Sequence, residues 1–369
     1  MSFYEEYVSY KGFDFEDFFS KVTKEQVLRA IYKDRLSHMD FLTLLAPAAE
    51  QVIETMAQRA HMLNLHHFGK SILLYTPIYI ANHCVNKCAY CSYNIENHIE
   101  RKQLTMAEIK KEAEEISKTG LKHILLLTGE SKKDTPLSYI IEAIGILKKY
   151  FQSVSLEIYP LSEEEYREVV KAGVDGLTVY QEVYDEEIYD KVHLAGPKKN
   201  YKFRLDAPER GCKANMRAVN IGALLGLNNW RVEAFMSGLH GKYLQDNYPQ
   251  VEVGLSLPRI RPHVGVFEET QPVSDVSLVQ ALLAYRIFLP QAGINVSTRE
   301  REAFRDSLIP LGVTKMSAGV STEVGGHGNS DKGSAQFEIS DKRTVVEMRL
   351  AIKAKGYQPI LKDWLNLEG

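Results

Sequence analysis

The sequence predicts an α/β fold: a closed (β/α)8 TIM-type barrel with an N-terminal helical extension. Three observations carry this. After Ser71, eight short apolar runs alternate with amphipathic segments that carry helix-start signals. Polar residues stand where these runs end, as they do at the functional face of such barrels. A chain of 369 residues, 44% hydrophobic and 25% charged, is long enough for a large core and suits one large domain or two ordinary ones.

Residues 1–70 read as a helical extension and 71–369 as the barrel with its C-terminal segment. In the extension, Thr23-x-x-Gln26 has the form of a capping box, and FLTLLAPAAEQVIETMAQRAHMLNLHHFG has helical spacing interrupted near Pro47. His61, His66 and His67 read as helix-end residues rather than metal ligands. The strands follow in order: ILLYTPIYIA, HILLLTG, VSLEIYP, GLTVYQE, VNIGALLG, VEVGLSLPR, INVSTRE and VTKMSAG. Between them, Thr105-x-x-Glu108 and Ser162-x-x-Glu165 cap helices, and Thr135-Pro136 opens another with proline in its first turn. Further helices are expected near 207–218, 229–248, 274–291, 301–311 and 344–356. The strand ends supply Asn82, Thr128-Gly129-Glu130, Glu157, Gln181-Glu182, Asn228, Arg259, Arg299 and Ser317. The Gly- and Ser-rich stretch 321–340 follows the eighth strand. It reads either as a mobile surface loop or as a lid over the barrel mouth.

Net charge is −3, so nothing points to a nucleic-acid or anionic-membrane partner, and no apolar run reaches membrane-spanning length. The acidic, aromatic start lacks the regions of a signal peptide. Three of the four cysteines, Cys84, Cys88 and Cys91, fall within eight residues, which favours a metal site in a reducing cytoplasm over a disulfide scaffold. Three thiolates hold three irons of a cubane and leave the fourth open to a small molecule. The alternatives are free thiols or a zinc knuckle, and the latter needs a fourth Cys or His nearby. Cys212 reads as a packed thiol.

The spacing C-x3-C-x2-C, with Tyr90 before the last cysteine, resembles the radical S-adenosylmethionine enzymes. The resemblance narrows through IYIANHCVNKCAYCSY, LLLTGE, LEIYPLSEEEY, VYQEVY, FRLDAPERG, IGALLGL, LPRIRP, STRE and LKDW. These blocks are similar in order and spacing to the tyrosine lyases of thiamine biosynthesis, the 2-iminoacetate synthases.

That resemblance implies a barrel of the radical SAM class, a [4Fe–4S] cluster on Cys84, Cys88 and Cys91, and S-adenosyl-L-methionine as second cofactor. It implies cleavage of the Cα–Cβ bond of L-tyrosine to 2-iminoacetate (dehydroglycine) and p-cresol, with 5′-deoxyadenosine formed. It also implies thiazole synthase as protein partner and an external one-electron donor of flavodoxin or ferredoxin type. For the cofactor it implies Tyr90 at adenine, Gly129 and Glu130 at the amino group, Glu157 at the ribose, Arg204 at the methionine carboxylate, and Gly222 and Gly226 beside adenine. Thr128 and Asn229 depart from the family pattern there, standing in place of a glycine and a glutamate. For the substrate, Arg299 is expected at the carboxylate, with Tyr79 and Ser317 as polar contacts. Gln181 or Glu182 is expected near the phenol, with no choice between them. The alternative reading is a related aromatic amino-acid lyase, either hydrogenase-maturase-like or tryptophan-cleaving. The lack of cysteines beyond Cys212 weighs against a second cluster and against breakdown of the glycine fragment. A scaffold with a purely structural cluster is the reading outside enzymes.

Overall fold

The computed structural model describes residues 2–265, 267 and 270–362. Its barrel strands are Ser71–Ala81, His123–Thr128, Ser153–Glu157, Gly176–Glu182, Ala218–Ala223, Glu252–Ser256, Gly293–Val296 and Lys315–Ser317. Each pairs in parallel with the next, and the eighth returns to the first with Leu73 opposite Lys315 and Tyr75 opposite Ser317. The sheet is therefore closed, and the C-terminal ends of all eight strands converge on one face.

The expected helix starts at Thr23, Thr105 and Ser162 are all capping boxes with both reciprocal bonds made, and Thr344 forms another. Each box satisfies two otherwise orphaned amide donors at a helix start. Local details differ from the sequence reading in two places. Pro136 is still extended (ψ 160°), so it caps the helix Leu137–Leu147 rather than lying in its first turn. The connection after the fourth strand holds three short helices, Glu186–Val192, Tyr201–Leu205 and Ala207–Lys213, where one helix near 207–218 was expected. Asn215, at φ 63°, ends that run.

Two small pairings carry no periodic signal in the sequence. Lys87–Cys88 pairs antiparallel with His193–Ala195, which ties the cysteine loop to the fourth connection. Gln358–Ile360 lies parallel to Ser71–Leu73 at the foot of the barrel, where the Lys122 N–H donates to the Leu361 carbonyl. Of the terminal LKDW block, Asp363 and Trp364 lie outside the described residues.

The N-terminal helices pack on the outer helices Trp230–Asn247 and Asp275–Phe288. Phe41 stacks on Phe288 with centroids 4.2 Å apart, and Phe3 stacks on His240 at 4.2 Å. The buried Gln280 amide donates to the carbonyls of Leu44 and Ala46. Only the end of the helix Ile53–Phe68 reaches the barrel foot, where Phe68 lines a cavity. That foot is hollow because Gly176, Ala218, Gly254 and Gly293 stand where bulky residues fill most such barrels. Among the described residues no helix is long and apolar enough to cross a membrane.

Candidate active site

The cysteine loop leaves the first strand and is held from several sides. The Val85 N–H donates to the Glu130 carbonyl, and Asn86 Nδ2 donates to the Glu130 carboxylate at 2.6 Å. Asn86 Oδ1 accepts the Lys198 N–H at 2.9 Å. Asn94 and Asn97 donate to the carbonyls of Cys88 and Cys91, and Arg101 donates to those of Asn82, Tyr93 and Asn94. Gly129 lets this loop approach, since a Cβ there would lie 2.3 Å from the His83 carbonyl oxygen. The loop is thus positioned by main-chain and amide contacts that do not depend on the thiols.

Cys84, Cys88 and Cys91 are close enough that Cys88 feels the charges of Cys91 and Cys84, and Cys91 that of Cys84. Among the described residues no three Cys, His, Asp or Glu side chains are gathered tightly enough for a single metal ion. Three thiols on one loop are the donor set of a cubane, whose thiolates bind separate irons. Burial pushes the Cys88 thiol up to about 12 and the Cys91 thiol up to about 11. Iron, when bound, would reverse that preference and hold the groups as thiolates. Cys212 is packed in the main core instead.

Two connected cavities lie at the C-terminal face. The outer one is lined by Cys91, Tyr90, Glu182, Lys198, Ile260 and Arg261. The inner one descends into the barrel between Tyr79, Ser317, Leu125, Leu127, Ser256 and Asn295. Glu157, Tyr180, Pro258, Arg299, Gln336 and Phe337 border both and so form the junction.

Arg299 sits at this junction with its guanidinium 3.6 Å from the Phe337 ring centroid. It forms no ion pair among the described residues, because Glu300 is taken by Arg259, whose Nε donates to it at 2.9 Å. A guanidinium without a carboxylate partner at a cavity junction is available for a ligand's carboxylate. Ser317 is buried; its Oγ accepts the Thr298 N–H at 3.1 Å, which fixes the start of the Arg299 loop. The Tyr79 hydroxyl donates to Gln336 Oε1 at 2.9 Å.

The charged wall of the outer cavity is compact. Lys198 Nζ donates to Glu182 at 2.8 Å, and Arg204 lies 3.5 Å from the same oxygen while its Nε donates to the Tyr180 carbonyl. Burial alone would raise the Glu182 carboxyl, but Lys198 and Arg204 outweigh it and hold the group below the usual carboxylate range. Its backbone is in the left-handed region (φ 70°), an uncommon conformation for glutamate that marks this strand end. Tyr90 donates its hydroxyl to His193 Nε2 at 2.6 Å, while His193 Nδ1 donates to the Tyr189 carbonyl. That pairing fixes a neutral tautomer, and burial keeps the imidazole well below its ordinary pKa.

Glu157 is the opposite case from Glu182. Burial first, then the nearby Glu182 charge, push it up to about 7, against the pull of Arg299 and Arg204. Between its unfolded value near 4.5 and about 7, the native state binds the extra proton, so stability falls as pH rises through that window. The cofactor-free protein is therefore expected to lose melting temperature between pH 5 and pH 8 more steeply than Glu157→Gln. The expected difference is a few degrees, since ~1 kcal/mol moves Tm by about 2–4 °C in larger domains. Parallel melting curves for the two proteins would refute it.

Of the residues expected from sequence, Tyr79, Glu157, Arg299 and Ser317 line the inner cavity, and Tyr90, Cys91, Glu157 and Arg299 line the outer one. Gly129, Glu130, Cys84, Cys88 and Arg204 line neither cavity. Nor do Gly222 and Gly226; a Cβ at Gly222 would meet the Ser256 carbonyl at 2.4 Å, and Gly226 needs φ 112°. Asn229 caps the helix Trp230–Asn247 by accepting the Arg231 N–H. Gln181 lines neither cavity: the strand register shifts between Tyr180 and Glu182, both of which line the outer cavity, while Gln181 is buried and its amide finds no partner among the described residues.

The sequence reading missed Lys198, Gln336 and Phe337, which lie on long connections, and left Arg261 unassigned. The stretch 321–340 acts as a cover: Thr322, Gln336 and Phe337 line the inner cavity. Its glycine-rich part is gripped by Glu112, whose carboxylate accepts the main-chain N–H groups of His327, Gly328 and Asn329 and the Asn329 side-chain amide.

With this geometry in place, comparison with known proteins is informative. Residues 78–238 match the Radical SAM superfamily and residues 256–358 the Biotin and Thiamin Synthesis associated domain. The chain is 38% identical over 343 residues to the 2-iminoacetate synthases of Salmonella typhimurium (strain LT2) and Escherichia coli (strain K12). Each alignment covers 93% of this chain and 91% of the relative. The crystal structure of HydG, a maturase of the [FeFe]-hydrogenase, superposes with a TM-score of 0.89 at 29% identity, covering 94% of this chain and 78% of that one. A [4Fe–4S] cluster and S-adenosylmethionine are the cofactors of the superfamily and of this enzyme. The cysteine loop, the closed barrel and the similarity across nearly the whole length agree, and the chain belongs to the 2-iminoacetate synthase family of radical SAM enzymes.

Proposed function

We propose that this enzyme cleaves the Cα–Cβ bond of L-tyrosine to 2-iminoacetate and p-cresol, with formation of 5′-deoxyadenosine, and so supplies the imine for thiamine thiazole synthesis. The carrying observation is Arg299, a guanidinium that forms no ion pair among the described residues, at the junction of two cavities, one beside the cysteines and one deep in the barrel. The similarity to 2-iminoacetate synthases over 93% of the chain supports the same reading.

Cys84, Cys88 and Cys91 hold the cluster. Tyr90, with Gly129, Glu130, Glu157, Arg204, Gly222 and Gly226 around it, shapes the outer cavity for the second cofactor. When bound, the cluster and S-adenosylmethionine supply a one-electron cleavage that yields a hydrogen-abstracting 5′-deoxyadenosyl group. Arg299 binds the tyrosine carboxylate and so sets the amine at the junction, facing the outer cavity. Ser317 and Tyr79 fix the loop and the cover around it. Phe337 shields one face of Arg299, and the Tyr79–Gln336 bond closes the inner cavity against water, which protects an imine that hydrolyses readily. Glu157, poised near neutrality at the junction, holds or releases a proton beside the amine. We further propose that residues 1–70 and 71–369 are extension and barrel, that the protein works in the cytoplasm, and that it takes electrons from a flavodoxin or ferredoxin and passes the imine to thiazole synthase.

The test is turnover by anaerobically reconstituted protein with reductant, S-adenosylmethionine and each aromatic amino acid. L-Tyrosine is expected to give p-cresol and 5′-deoxyadenosine together. 5′-Deoxyadenosine without p-cresol would assign another substrate. The likeness to HydG raises a maturase-like reaction, which fragments of the imine among the products would favour.

A further inference from the structure

We infer that Asn295 reads the phenol hydroxyl of the substrate at the floor of the inner cavity, and that this residue selects tyrosine over phenylalanine. The inference rests on the tyrosine reading above and adds a specificity residue to it.

The inner cavity has two polar ends and apolar walls. Arg299 marks its upper end, at the junction with the outer cavity. Leu127, Leu257 and Val296 line its walls, which suit the faces of a ring. Asn295, Tyr75 and Leu125 line both this cavity and the hollow foot below, and so form the floor that parts the two spaces. Asn295 is on the seventh strand, four residues before Arg299, so one segment supplies both ends.

Its amide is half used. Nδ2 donates to the Tyr75 hydroxyl at 3.0 Å and lies 3.4 Å from Ser256 Oγ, which also accepts Asn220 Nδ2 at 2.9 Å. Those bonds fix the plane of the side chain. Asn295 Oδ1 is buried and has no hydrogen-bond partner among the described residues. A buried acceptor without a partner, on a residue that lines an apolar slot, calls for a ligand O–H. With the carboxylate on Arg299, the ring of a bound aromatic amino acid points down the slot, and the para hydroxyl of tyrosine is the group that meets Oδ1. Phenylalanine leaves the acceptor buried and unpaired, which is how a site built for a hydroxyl rejects the analogue that lacks it.

The test measures binding of L-tyrosine and L-phenylalanine to the anaerobically reconstituted, S-adenosylmethionine-loaded enzyme by equilibrium dialysis. The wild type is expected to prefer tyrosine by at least ~10-fold, the factor that one unmet buried acceptor implies. Asn295→Leu is expected to bring the two affinities within about 3-fold of each other, mainly by weakening tyrosine. Asn295→Asp keeps an acceptor and is expected to retain the preference. If the leucine chain fails to fold, Asn295→Ala is read in the same way. A preference undiminished in Asn295→Leu or Asn295→Ala overturns the inference, as does a wild type that turns tyrosine over without preferring it to phenylalanine. A wild type that neither binds tyrosine nor forms p-cresol overturns the proposed function itself.

Discussion

Cys88→Ala is expected to lose the cluster and with it all cleavage of S-adenosylmethionine. Cys88 is buried on the small ribbon opposite His193, and it is the middle of the three thiols proposed to hold the cluster. Two remaining thiolates cannot retain a cubane that needs three protein ligands to leave one iron open. The effect should be confined to the metal. The loop is held by Glu130, Asn94, Asn97 and Arg101 through groups that the substitution leaves in place. Reconstituted Cys88→Ala is therefore expected to show iron and sulfide near background, no visible cluster absorbance, and neither 5′-deoxyadenosine nor p-cresol, while its far-ultraviolet circular dichroism matches the wild type. Full iron content with normal 5′-deoxyadenosine would remove Cys88 from the ligand set.

Arg299→Ala is expected to separate the two chemistries. The cluster and the outer cavity remain, so 5′-deoxyadenosine should still form. The p-cresol yield should fall by about 100-fold, the penalty usual when a reacting group is no longer held in its attack geometry. Arg299→Lys should recover only part of the loss, because an ammonium keeps the charge but not the planar fork or the stacking on Phe337. The measurement is the ratio of p-cresol to 5′-deoxyadenosine over a tyrosine titration. A ratio equal to wild type at saturating tyrosine would place the substrate carboxylate elsewhere.

What the sequence made legible follows from where its signals are local. A capping box is written within four residues, so Thr23, Thr105 and Ser162 were readable and the helices start there. The apolar runs of the barrel strands and the cysteine spacing are equally local. Gln181 shows the limit. A strand end offers two adjacent polar residues, and an irregular strand end, with its register shift between Tyr180 and Glu182, is what sets Glu182 and not Gln181 on the cavity. Asn295 lay within a strand read only by its terminal arginine. Lys198 and Phe337 reach the site from connections whose path no periodicity encodes, and Gln358–Ile360 is too short, with Pro359 at its centre, to announce a strand. The fold was therefore legible through repeated short-range patterns, whereas the walls of the site depend on contacts between distant segments.

The grip of Glu112 on the cover has a further consequence. A run such as Val324-Gly325-Gly326-His327-Gly328-Asn329 would by composition be the first place for a protease to enter. Here three successive peptide N–H groups and a side-chain amide are committed to one carboxylate on the helix Met106–Ser117. The backbone must be peeled from that anchor before it can be threaded into a proteolytic cleft, so nicking at these glycines reports release from a distant helix rather than local softness.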